Sequence, residues 1–151
     1  MDLKNQIERF KVSPNISIWK YLENNRNYPG WNFNASPNTV QEIIHLLMLM
    51  EECQYSTSKK MILKKTTDSQ LRIPNNRKGL AKIKSLNELV LYSKKESDSN
   101  LWKINEIDSR IEVYFGEDKL KELVNSLNRI IKGENDFAIS DINEENIIYF
   151  W

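Results

Sequence analysis

The side chains able to do chemistry are few and scattered. Among 151 residues there is one histidine, His45, and one cysteine, Cys53. Nucleophilic catalysis needs a base held within reach of a nucleophile. His45 could be such a base, but no G-x-S-x-G marks a nucleophile. It stands in the apolar run 43–50, where a packed or partly exposed helical histidine is the simpler reading. One Cys and one His cannot build a Cys/His zinc site, and neither H-E-x-x-H nor an acidic calcium loop is present. Paired carboxylates could do acid–base work, and Glu51, Glu52, Glu106, Asp108 and Glu112 are candidates. The last three fall on strand or turn positions where polar residues face water, so solvated carboxylates are expected. Gly30, Gly79, Gly116 and Gly133 are isolated, which leaves no phosphate-cradling loop. Gly116 does precede a helix, but Glu117 and Asp118 already satisfy its dipole and would repel an anion. No catalytic residue, metal or cofactor is expected.

The charges carry more information. The overall net charge is only +1, yet residues 1–58 sum to −1, 59–95 to +9 and 96–151 to −7. Folding could pair these blocks with one another. Alternatively, one block could face a partner. The acidic set Glu134, Asp136, Asp141, Glu144 and Glu145 would suit a basic partner, and nucleases present basic clefts because they bind phosphate. Arg72, Arg77 and Lys78 form a rival, basic patch. The segment 59–95 could also contact nucleic acid, but Tyr92 is its one aromatic, and stacking aromatics or a known motif normally accompany such a surface.

A scaffold must position these groups, and 151 residues make one domain spanning 1–151. Leu3, Ile7 and Phe10 predict a helix over 2–11, ended by Ser13-Pro14. Ile16, Trp19, Tyr21 and Leu22 suggest another helical turn or two. Trp31 and Phe33 alternate with Asn32 and Asn34 in an extended segment. Ser36-Pro37 opens a helix over 37–53, with Ser36 as cap and Pro37 where no N–H is needed. Strands are expected at 60–66, 88–95, 101–107, 110–115 and 146–151. A long exposed loop fills 67–86 around a short strand or turn at 71–73. Short links between the strands from 88 to 115 predict an antiparallel meander. The clearest signal is strand–turn–helix: Ile111, Val113 and Phe115 alternate, Gly116 turns the chain, and Leu120, Leu123, Val124, Leu127, Ile130 and Ile131 follow at helical spacing up to Gly133. An acidic loop then runs through 134–145. The expected fold is α+β, an antiparallel sheet of about five strands packed on helices 37–53 and 117–132, with an N-terminal helical segment. The charged N-terminus is no signal peptide, no run reaches the ~20 apolar residues of a membrane span, and a lone cysteine fits a reducing compartment, so a cytoplasmic protein is expected. Trp19, Trp31, Trp102 and Trp151 are core side chains or partner anchors, with at least one Trp or Tyr exposed at an interface.

Several local patterns bear on the class of protein. They are Gly30-Trp31-Asn32-Phe33-Asn34-Ala35 leading into a helix, Trp102-x-Ile104 on a strand, Gly116-x-x-x-Leu120 at a helix start, Gly133-x-x-Asp136-Phe137, and a terminal Phe150-Trp151. With these, residues 28–151 resemble bacterial immunity proteins of contact-dependent growth inhibition and related polymorphic toxin systems. The resemblance implies a small α+β domain that binds one cognate toxin domain tightly and lacks catalysis; with the split charge and the absent active site, the expectation is a non-enzymatic inhibitor that occludes a toxin, a nuclease domain. It carries over no particular interface residue. The alternative is a nucleic-acid-binding or regulatory domain using the basic segment 59–95. An enzyme whose unfamiliar site used His45 is a third possibility.

Overall fold

A computed structural model describes residues 2–23, 26–74, 76, 81–134 and 137–151. In chain order the elements are α1 (Leu3–Arg9), β1 (Ile16–Tyr21), β2 (Trp31–Ala35), α2 (Pro37–Glu52), β3 (Thr57–Ile62), α3 (Asp68–Leu71), β4 (Ile83–Ser85), β5 (Glu88–Ser93), β6 (Trp102–Ile107), β7 (Arg110–Phe115), α4 (Glu117–Ile131), β8 (Phe137–Ser140) and β9 (Ile147–Phe150). The α+β class holds, but the single antiparallel sheet does not. The described residues form two mixed sheets, one ordered β4-β1-β2-β9-β8 and the other β3-β5-β7-β6. Each contains one parallel pair, β2 with β9 and β5 with β7.

The expected meander fails at that second pair. β6 and β7 form the antiparallel hairpin that Asp108-Ser109 predicts. However, β5 bonds to β7 and not to β6, so β7 lies between its two sequence predecessors. Lys94 N–H donates to the Phe115 carbonyl, which carries the parallel pairing one step further. Gly116 then closes against the 98–99 turn, where any Cβ would meet the Asp98 and Ser99 carbonyl groups.

The helices fall where their caps place them. Ser36 Oγ accepts from the Thr39 N–H at 3.4 Å, with Pro37 in the first turn of α2. Asp2 caps α1 in the same way, with 2.8 Å to the Asn5 N–H. α2 and α4 bury Ile43, Ile44, Leu47, Leu120, Leu123 and Leu127 against the inner faces of both sheets in one core. A void of about 30 Å³ within it is lined by apolar side chains from both sheets and both helices, Ile18, Phe33, Ile43, Val113, Leu123 and Phe150 among them.

The segment expected as further helical turns, 16–22, is instead strand β1. Its inner side chains Ile16 and Ile18 enter the main core, while Trp19 and Tyr21 on the opposite face are equally buried. The described residues of the expected loop produce that second burial. Residues 67–74 and Ala81 are not an exposed loop but a flap over the outer face of the five-stranded sheet, and 83–85 is strand β4 at its edge. Leu71 and Ala81 pack on Trp19 and Tyr21, Tyr21 Oη donates to the Leu71 carbonyl at 3.3 Å, and Gln70 Nε2 donates to Asn34 Oδ1 at 3.0 Å. The expected strand or turn at 71–73 is the end of α3. Thr67 and Gln70 close α3 with a capping box. The expected acidic loop 134–145 contains β8, so its last part is a hairpin turn between β8 and β9. Among the described residues no helix is long and apolar enough to cross a membrane.

Candidate functional site

The two sheets differ in how their outer faces are treated. The flap covers one. The other, on β3-β5-β7-β6, carries a grid of side chains in three rows fixed by the strand register. Ile62, Glu88, Arg110 and Ile107 form the first row. Lys60, Val90, Glu112 and Asn105 form the second, and Ser58, Tyr92, Tyr114 and Lys103 the third. Ile62 and Ile107, at the two ends of one row, are 67% and 48% exposed. Val90 and Glu112, at the centre, are buried by their neighbours on the same face.

Glu112 is the keystone of this face. Its Oε2 accepts from Arg110 Nη2 at 2.7 Å and from Tyr92 Oη at 3.2 Å, and its Oε1 accepts from Tyr114 Oη at 3.2 Å. The two tyrosine rings stack with centroids 4.4 Å apart and planes 5° from parallel. A carboxylate out of water needs such donors, and here the guanidinium supplies a compensating charge. Burial pushes the Tyr114 phenol above its ordinary value, and the hydrogen bond and negative charge of Glu112 raise it further. The result is a rigid aromatic and charged plate. Glu112 was expected as a solvated carboxylate, and at 4% exposed it is not one. The pattern Arg110-x-Glu112-x-Tyr114 on a strand places all three on one face; what the sequence could not supply is the neighbour, Tyr92, which the parallel register sets opposite Tyr114, 22 residues on.

Of the residues expected at an acidic interface, Asp136 lies outside the described residues. Glu134 is exposed just past α4 and pairs with Arg129 at 3.4 Å. Asp141 holds the β8–β9 turn together. Its Oδ1 accepts from the Glu145 and Asn146 N–H groups at 2.8 and 3.0 Å, and its Oδ2 from Asn146 Nδ2 at 2.9 Å. These bonds, from Asn146 first, hold its carboxyl below the usual carboxylate range. Glu144 and Glu145 are exposed at the tip, Glu144 with φ at 55°. Asn146 fastens the tip to the edge of β6, where its Oδ1 accepts from the Ile104 N–H and its carbonyl from Trp102 Nε1, both at 3.0 Å. The acidic tip therefore abuts the free edge of the same sheet that bears the tyrosine plate.

The basic patch divides differently. Arg77 and Lys78 lie outside the described residues, and Arg72 is exposed on the flap at the end of α3. Other cations of the basic segment meet acidic groups. Lys60 pairs with Glu88 at 3.7 Å, Lys95 with Glu117 at 2.5 Å, and Lys84 with Glu106. The charge blocks thus partly neutralise one another. His45 is exposed on α2 beside Gln41, at 3.3 Å, and Cys53 is buried at the helix end. Trp19, Trp31 and Trp102 are buried, and Trp151 is half-buried with its Nε1 donating to Asn32 Oδ1 at 3.0 Å. Tyr92 and Tyr114, not a tryptophan, are the aromatic groups of the open face. No protein-family model matches the chain, and no curated protein matches it.

Proposed function

We propose that this chain is a cytoplasmic immunity protein, a non-enzymatic binder that neutralises one cognate toxin domain, a nuclease, by occluding it. The observation that carries the reading is the contrast between a covered sheet face and an open one bearing a pre-assembled Arg–Glu–Tyr–Tyr plate. Tyrosine and arginine are the side chains that anchor protein interfaces, and side chains already locked by hydrogen bonds lose little entropy on docking.

Size then dictates what else must touch the partner. Four strands about 4.8 Å apart and about six residues long make a face of roughly 300 Å². A standard interface needs about 800 Å² from each side. The partner must extend over a border of the sheet, and the β8–β9 tip with Glu144 and Glu145 supplies one against β6. Its charge suits a phosphate-binding cleft, which supports a nuclease as the target.

Co-expression with the toxin domain encoded beside the gene, followed by co-purification and a toxicity assay, tests the reading. A stable one-to-one complex is expected, and Tyr92→Ala with Tyr114→Ala should weaken it at least tenfold and restore toxicity. A protein that binds no such domain, but retards plain RNA or DNA in a manner abolished by salt, would be a nucleic-acid binder instead.

A further inference from the structure

We infer that Ile142, at the tip of the β8–β9 turn, is an anchor that enters an apolar pocket on the protein partner, a pocket bordered by lysine or arginine side chains. This inference rests on the reading of the chain as an inhibitor and adds a contact that selects which partner it accepts. Ile142 is 97% exposed, the most of any large hydrophobic side chain among the described residues, with Tyr55 and Ile62 next at 71% and 67%. At that exposure it contributes nothing to the core. Turn chemistry does not ask for it either. The Glu144 N–H donates to the Asp141 carbonyl at 3.1 Å, which closes a turn with Ile142 as its second residue. Proline is favoured at that position, and a β-branched side chain suits strands better. An apolar group that serves neither packing nor backbone is free to serve a partner.

The tip is also held in place. Asp141 Oδ1 accepts from the Glu145 and Asn146 N–H groups, so one carboxylate closes the whole turn. Asn146 then bonds the turn to β6. Glu144, at φ 55°, keeps a left-handed backbone that a residue other than glycine holds only where its surroundings impose it. Isoleucine is itself stiff at χ1. Seating it in a pocket therefore orders little that is not already ordered. Its neighbours in the turn define the pocket. Glu144 and Glu145 are exposed, and carboxylates around an apolar contact complement cations around the matching hollow. A desolvated apolar centre within a polar rim is the arrangement in which a single side chain carries much of the binding energy.

Dissociation of the full chain from the toxin domain encoded beside the gene, followed at low and high salt, tests the inference. Ile142→Ala should speed dissociation about tenfold or more at both salt concentrations. Ile142→Leu keeps the volume and should stay within a few-fold of the parent. Thermal stability should be unchanged in both variants, because the side chain touches so little of its own chain. Ile142→Ala dissociating at the parent's rate would overturn the inference and leave the inhibitor reading intact. An effect of Ile142→Ala confined to low salt would overturn it as well, since charge and not apolar contact would then hold the tip. A parent chain that forms no complex at all would defeat the inhibitor reading, and this inference with it.

Discussion

Glu112 shows how one side chain can set the character of a surface. Its carboxylate collects three donors on a face that otherwise meets water. Truncating it to alanine leaves a guanidinium and two phenols without their acceptor. The expected cost is about 1–3 kcal/mol in urea denaturation, with glutamine losing less because its amide oxygen still accepts. The same contact has a pH signature. Tyr114 keeps its proton in the folded chain beyond the value of 10.0 at which an ordinary phenol loses it. Its contribution to stability is therefore complete below about pH 10 and is lost as pH rises through the higher native value, because the unfolded chain deprotonates first. Absorbance of tyrosinate should show a group titrating above the exposed tyrosines. Glu112→Gln should bring it back only part of the way, since burial is the larger cause.

At the level of elements, legibility followed how many faces a segment buries. α4 has one apolar stripe and was plain from Leu120, Leu123 and Leu127. α2 was plain from Ser36-Pro37. β7 alternates and was equally clear. β1 was misread because both of its faces are buried, Ile16 and Ile18 inward and Trp19 and Tyr21 beneath the flap, so period two disappeared and Ile16, Trp19 suggested a helix. β8 is four residues between charged runs, too short to show its alternation. The order of β5, β6 and β7 rests on long-range pairing that no local pattern encodes. The candidate face was half legible: Arg110, Glu112 and Tyr114 share it by parity, whereas Tyr92 joins them only through the parallel register. Asp141 is an acidic residue whose role is local geometry. Asparagine can still accept the two N–H bonds at its Oδ1 but not the one that Asn146 Nδ2 donates to Oδ2, so Asp141→Asn should loosen the turn less than alanine does. Asp141→Ala should speed hydrogen exchange at the Glu145 and Asn146 amides by an order of magnitude or more, with the rest of the sheet unchanged.

For the whole molecule, the two components of the proposed interface should act on different rate constants. The plate on β5 and β7 is desolvated in a complex, so losing Tyr92 and Tyr114 should raise the dissociation rate and do so at any salt concentration. Glu144 and Glu145 stay at a wet rim, where charge steers encounter over a distance set by screening, about 8 Å at physiological ionic strength. Reversing both to lysine should therefore slow association several-fold at low salt, change dissociation little, and have an effect that shrinks as salt is added. Stopped-flow association at two ionic strengths separates these contributions. Equal loss at both salts would move Glu144 and Glu145 into the buried part of the interface. No loss at either would leave the tip outside it, and the partner would then have to reach its missing area over another border of the sheet, such as the α1 corner beside Tyr92.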